Sequence, residues 1–327
     1  MTDINKLNSY SVEELLQELK IREAQTEATE AIASREPSEA LQSFDSAAIA
    51  KFLKEQQTVI YGQDNRKDWF ELSDEQKNEA ECVVGLFFDT SIVDNEDGTS
   101  TIKTRNFGTA YKLCANEPFR DQPISAFCSG VLVASDVIAT AGHCVKANDI
   151  EKVRFVFGFR MTDATTAQTV VDNNDIYSGV SIIDRKQVGN GPDWALVKLD
   201  RPVTNHPIAT IRSAGKIADN QAVHVIGHPC GLPLKYATDA EVRNNKPQAF
   251  FVANLDTYGG NSGSPVFNSD TFEVEGLLVR GDNDFVTVNG CKVSLVCPDT
   301  GCRGEDCTRT TEFSALLEDS LNNAIDT

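Results

Sequence analysis

The amino-acid sequence predicts an all-β body with a helical N-terminal extension and a C-terminal helix. Three patterns carry that expectation. After Thr58, short runs rich in Val, Ile and Phe alternate with Gly, Asn and Asp turns. That texture is typical of a β-sandwich or barrel. Before Thr58, apolar residues recur with helical rather than strand spacing, and they do so again near the end of the chain.

The extension spans residues 1–58. Ser11 and Glu14 have capping-box spacing, and Val12, Leu15, Leu16 and Leu19 then form one stripe. A break at Arg35-Glu36-Pro37-Ser38 precedes a second stripe of Leu41, Phe44, Ala48 and Phe52. Such a segment packs on the neighbouring body or serves as a removable pro-segment. The strand runs are Cys82–Phe88, Ala126–Val133, Val153–Phe157, Asp193–Leu199, Ala222–Gly227, Ala249–Ala253 and Glu273–Arg280. Asp200–Pro207 is polar and carries two prolines, which suits a connector between two β units. Asp94–Gly98 reads as a solvated turn, because it lacks the ligand spacing of an EF-hand loop. In Thr311–Asn323, Phe313, Leu316, Leu317 and Leu321 are spaced for an amphipathic helix.

A chain of 327 residues has room for two or three domains. Its 49 acidic and 30 basic residues leave a net charge of −19. Nucleic acid and anionic membrane are therefore poor partners, since phosphate binding needs a basic face. No apolar window is long enough for a membrane span. Nine cysteines favour an oxidising compartment, secreted or periplasmic. Met1–Lys20 lacks the basic and apolar regions of a secretory signal, so the compartment stays open. Cys291, Cys297, Cys302 and Cys307 lack Cys-x-x-Cys pairs, which favours disulfides over a zinc knot. No cofactor or metal is expected.

Three motifs carry chemistry. In Asp256-Thr257-Tyr258-Gly259-Gly260-Asn261-Ser262-Gly263-Ser264-Pro265, a serine stands among small residues. Such a turn can present a hydroxyl beside backbone N–H groups, the layout of a nucleophile with an oxyanion hole. In Thr140-Ala141-Gly142-His143-Cys144, a histidine follows an apolar strand. A Cys128–Cys144 disulfide would pin it, and a general base must be held within reach of its nucleophile. Asp193 opens the apolar run Asp193–Leu199, where a buried carboxylate needs a partner such as an imidazole N–H. Cys230, in Gly227-His228-Pro229-Cys230-Gly231, reads as a turn residue rather than a second nucleophile.

The order His, Asp, Ser matches the chymotrypsin arrangement and differs from the subtilisin and α/β-hydrolase orders. With these motifs the sequence resembles the chymotrypsin-fold (trypsin-like) serine proteases, and within them the bacterial glutamyl-endopeptidase-like branch. Val59-Ile60-Tyr61-Gly62-Gln63-Asp64-Asn65-Arg66 resembles the mature N-terminus of that branch. The resemblance implies two six-stranded antiparallel β-barrels. The first, 59–205, would carry His143 and Asp193. The second, 206–327, would carry Ser262, a Cys-rich loop and the terminal helix. It also implies a serine-type endopeptidase acting on proteins or peptides, with His143, Asp193 and Ser262 as the triad. Backbone N–H groups of Gly260 and Ser262 would form the oxyanion hole, and the extension would be a zymogen segment. Asp256, Thr257 and Arg280 would line the specificity pocket. Asp256 suggests cleavage after basic residues, whereas Arg280 in place of the branch's usual histidine suggests an acid-binding group. Asn261 replaces the aspartate that pairs with a new N-terminal amine in digestive enzymes, which argues against that mode of activation. A catalytically silent, protease-like binding module and an acyl hydrolase with the same triad are the alternatives.

Overall fold

Alternation along one strand explains how the body is built. Ala195, Val197 and Leu199 enter one apolar cluster, while Trp194 and Leu196 enter another. Successive side chains of a strand face opposite sides. A strand apolar on both faces must therefore be covered on both. Each fully buried large apolar side chain contributes about 1.5–3 kcal/mol relative to exposure. The continuous apolar run seen in the sequence is thus a strand between two cores.

The computed structural model describes residues 18, 60–61, 64–189, 191–280, 285–288, 290–294, 296–297 and 303–317. Both helical stripes of the extension lie outside these residues; of residues 1–58 only Glu18 is described. The chain divides into two compact units. The larger comprises 65–107, 121–282 and 303–327. Its first barrel contains β1 (Val83–Phe88), β2 (Cys128–Ala134), β3 (Val137–Thr140), β4 (Val153–Val156), β5 (Ile176–Gln187) and β6 (Asp193–Leu199). Going round, the order is β1-β2-β3-β6-β5-β4, closed by β4 on β1. The second barrel contains β7 (Ala222–Gly227), β8 (Lys235–Asn244), β9 (Phe250–Ala253), β10 (Pro265–Asn268), β11 (Val274–Arg280) and β12 (Glu305–Arg309). Its order, β7-β8-β9-β12-β11-β10, repeats that of the first and closes by β10 on β7. All these pairings are antiparallel, and closure leaves neither barrel a free edge. The body is therefore the pair of six-stranded barrels expected from the sequence.

Val84, Leu86, Phe155 and Val197 fill the first barrel, and Val225, Val242, Phe251 and Leu278 fill the second. A third cluster joins Trp194 and Leu196 to Ile226, Phe267, Leu277 and Phe313 of the second barrel's half. Phe313 follows a tight turn at Thr310–Glu312, and 314–317 are helical. The remainder of the expected C-terminal helix lies outside the described residues. The short strand Lys67–Asp68 adds to β8. Helix α1 (Asp74–Ala80) starts at Ser73, which exchanges hydrogen bonds with Gln76 as a capping box. Glu79 of α1 accepts from Tyr236 Oη at 2.7 Å and contacts His224 Nε2 at 3.0 Å. The Asp94–Gly98 turn closes on itself, with Asp94 accepting from Glu96 N and Asp97 from Thr99 N. Among the described residues, no helix is long and apolar enough to cross a membrane.

The smaller unit gathers 1–64, 108–120 and 283–302. A Cys114–Cys291 disulfide joins two of these segments. Phe285–Val288 and Cys291–Ser294 form a hairpin, and Ser294 donates to Glu117 through N (2.9 Å) and Oγ (2.5 Å). Ile60–Tyr61 runs parallel to Val296–Cys297. One expectation for the cysteine-rich stretch needs correction. Cys307 is not in a disulfide loop but is a reduced, buried residue of β12. Burial raises its thiol well above the ordinary range and pushes Cys82 up to about 12, so neither is a nucleophile.

The connector after β6 is tied down at His206. Its ring stacks on Phe157 at 3.9 Å, with Nε2 3.2 Å from Asp175 and Nδ1 3.1 Å from Glu81. Glu81 also pairs with Arg160 at 2.8 Å. Burial alone would push His206 down, but the bonds to Asp175 and Glu81 outweigh it and hold the imidazolium above its ordinary range. A raised folded-state value contributes stability that is complete below the unfolded value and is lost as pH rises through the folded one. We predict that wild-type stability by urea unfolding falls as pH rises above the ordinary histidine range of about 6.5 and His206 deprotonates. His206→Gln should lose about 3 kcal/mol at the acid end and flatten that slope. An unchanged slope in the variant would exclude the clamp.

Candidate active site

Four of the five residues of the Thr140–Cys144 stretch have an evident physical task. Thr140 Oγ1 donates to Ser129 O at 2.7 Å, joining β3 to β2. A Cβ on Gly142 would lie 2.8 Å from Trp194 O and 2.9 Å from Asp193 Oδ1. Only glycine allows this approach, and the approach brings the next residue onto the aspartate. His143 N donates to Asp193 Oδ1 at 3.0 Å, and His143 Nδ1 lies 2.7 Å from Asp193 Oδ2. Cys144 is bonded to Cys128 of β2. Arg185 of β5 donates to Gly142 O at 2.6 Å from the other side.

Asp193 is 4 % exposed. Its carboxylate receives the two His143 contacts, and its own N–H donates to Thr308 Oγ1 at 3.1 Å. Thr308 belongs to β12, so the second barrel helps hold the acid of the first. With Nδ1 committed to Asp193, the imidazole keeps Nε2 for other work. The other three histidines are occupied. His206 is the clamped imidazolium of the connector. His224 contacts Glu79 and Ser269. His228 donates Nδ1–H to Leu232 O, and burial pushes it down to about 4, so it stays neutral. The His143 side chain is 32 % exposed, open enough to meet a substrate.

Ser262 sits between Asn261 and Gly263, just before β10. Ser129 N donates to Ser262 O at 2.9 Å, and Cys144 Sγ lies 3.6 Å from the same oxygen. Gly263 has φ +85°, and an added Cβ would fall on Ser129 O and Thr140 Oγ1. The serine is thereby set against the strand and turn that carry His143. Within this loop the backbone donors divide. Asn261 N bonds Tyr258 O, Gly263 N bonds Leu278 O and Ser264 N bonds Asn261 O. The N–H groups of Gly260 and Ser262 have no acceptor among the described residues. Gly260 takes φ +93°, with its Cβ direction against Cys230 N (2.9 Å) and Gly231 N (3.1 Å). Cys230 N donates to Gly259 O at 2.5 Å, and Ser129 Oγ to Gly260 O at 3.3 Å.

The chain at Pro229–Gly231 is therefore a tight turn with Cys230 at φ 52°, in line with the turn residue read from the sequence. Asn261 is buried and accepts from Ser264 Oγ at 3.2 Å. Among the proposed pocket residues, Asp256 and Thr257 are buried. Arg280 pairs with Asp306 at 3.0 Å and donates to Gly191 O at 2.8 Å, while Arg303 holds the other Asp306 oxygen at 2.6 Å. The supporting residues Ser129, Arg185 and Thr308 had no signal in the sequence, because each acts across strands remote in the chain.

Gly263→Ala tests the seating of the serine loop. Left-handed strain adds about 1–2 kcal/mol, and a forced clash typically about 1–3 kcal/mol. The thermal midpoint should fall by several degrees. A midpoint within about one degree of wild type would contradict the close approach.

Residues 128–277 match the family model described as trypsin-like peptidase domain. A solved structure of a Glu endopeptidase in complex with MPD is similar to this chain, at 16 % identity and a TM-score of 0.47. The similarity covers 82 % of this chain and 100 % of that one. The matched residues, somewhat under half of the chain, run from β2 to β11 through both barrels and all three motifs, so this stretch is similar to a trypsin-like peptidase domain, and the paired barrels are those of a chymotrypsin-like fold.

Proposed function

We propose that the protein is a serine endopeptidase that cleaves peptide bonds through an acyl-enzyme on Ser262. The observation that carries this reading is the His143–Asp193 pair, with Nδ1 2.7 Å from the buried carboxylate, beside a serine whose loop keeps two N–H groups unused. Ser262 Oγ attacks the scissile carbonyl while His143 Nε2 takes its proton. The imidazolium formed is stabilised by Asp193, which stays ionised and holds the tautomer. The carbonyl oxygen, now negative, accepts from Gly260 N–H and Ser262 N–H. The imidazolium then protonates the leaving amine. Water, deprotonated by His143, attacks the acyl-enzyme and regenerates Ser262. Preformed donors serve this well, because they need no reorganisation when charge develops.

Asp256 and Thr257 form the pocket wall in this reading. Arg280 is shared between Asp306 and Gly191 O and, in this reading, does not act as a receptor for a substrate carboxylate. A peptide library reads the residue preference and separates a peptidase from an acyl hydrolase.

A fluorophosphonate probe tests the nucleophile. Wild-type protein should label and Ser262→Ala should not. Asp193→Asn should cut kcat by roughly 10⁴-fold with little change in KM, as expected when the tautomer is wrong. Absence of labelling in folded wild-type protein would leave the silent binding module as the better reading.

A further inference from the structure

The loop that ends in Ser262 is also held from a direction that the triad does not explain. Arg66 is 6 % exposed, and its Nη2 donates to Tyr258 Oη at 3.0 Å. Its guanidinium carbon lies 4.1 Å from the Tyr258 ring centroid. Tyr258 is itself buried, and its carbonyl accepts from Asn261 N at 3.1 Å. That bond closes the turn containing Gly259 and Gly260. Arg66 thus grips the residue at the base of the turn that aims Gly260 N–H.

Arg66 is kept there by the two residues after it. Lys67 and Asp68 pair with Tyr236 and Lys235 of β8. The Asp68 carboxylate bonds the buried Lys235 ammonium and accepts from Gln122 Nε2 at 2.8 Å. Lys235 also donates to Gln122 Oε1 at 2.7 Å and Pro233 O at 3.2 Å. A buried charge set of this kind is costly to break, because the partner left behind has no water to replace the lost one. It fixes the backbone register at 67–68 and so the point from which the Arg66 side chain starts.

We propose that Arg66 is a positioning residue for the oxyanion-forming turn, acting through Tyr258 and anchored by the Asp68–Lys235 pair. A planar guanidinium both stacks on an aromatic face and donates along it, whereas an ammonium does not make both contacts in one geometry. The neutral Asn261, bonded by Ser264 Oγ, needs no cation of its own. The turn is braced from outside by a side chain. This inference rests on Ser262 being the nucleophile, and its test has one arm that does not.

The full chain is compared as wild type, Arg66→Met, Arg66→Lys, Tyr258→Phe and the Arg66→Met/Tyr258→Phe double variant. Per active site titrated with fluorophosphonate, Arg66→Met should lower kcat between about 10-fold and about 100-fold with KM within about two-fold. Deleting one oxyanion donor outright costs about 100-fold or more. Arg66→Lys should recover only part of the loss. The double variant should lose no more than the worse single one, as coupled residues do. Independently of activity, hydrogen exchange at the Asn261 amide should rise at least about tenfold in Arg66→Met, while amides of β6 and β9 stay protected. Wild-type kcat in Arg66→Met, additive losses, or unchanged Asn261 exchange would each overturn the proposal. If wild-type Ser262 does not label, the catalytic reading fails and the exchange arm still decides whether Arg66 holds the turn.

Discussion

A carboxylate buried at the start of a strand is the constraint on which the site depends. Asp193 is shielded from water and must be satisfied by protein donors. The donors come from one residue, through the backbone N–H and ring of His143. That double contact requires Gly142, because any side chain there would strike the Asp193 carboxylate or the strand behind it. It also requires the turn to stay put, which Arg185 and the Cys128–Cys144 disulfide secure. The orientation of the imidazole is thus set by the need to neutralise a charge that has nowhere else to go.

The two barrels have the same strand order, although the sequence shows no internal repeat. This places equivalent loops of both barrels where they can cooperate. Thr308 of the second barrel supports Asp193 of the first, and Ser129 of the first receives the carbonyls of Gly260 and Ser262 from the second. Such cross-bonds make the site a property of the barrel pair. Loops carry the reactive groups, and strands buried on both faces hold those loops still.

Much of this was legible in the sequence. Asp193–Leu199 and Ala222–Gly227 are strands with the expected ends, and the other expected runs differ only by a residue or two at either end. The closeness of His143 and Asp193 followed from chain order and from the cost of burying the acid. Gly260 and Gly263 do take left-handed backbone. Other features were not legible. Helix α1 was missed although Ser73 and Gln76 spell a capping box, because its face is short and pinned by Glu79 rather than by an apolar stripe. Cys307 read as part of a loop because β12, Glu305–Arg309, is charged, and its charges are buried only through partners distant in the chain. The bracing roles of Ser129, Thr308 and Arg66 depend on register across strands, which a single chain does not display. The partners of Arg280, Asp306 and Gly191, were not legible because both are distant in sequence.

In the proposed reaction, Ser262, the His143–Asp193 pair and two backbone N–H groups act together on one scissile carbonyl. The most direct measurement is a crystal structure of the fluorophosphonate adduct. Phosphorus should be bonded to Ser262 Oγ, with the phosphoryl oxygen about 2.7–3.1 Å from both Gly260 N and Ser262 N. His143 Nδ1 should remain on Asp193. An adduct on another side chain, or a phosphoryl oxygen turned to solvent with both N–H groups bonded elsewhere, would contradict it.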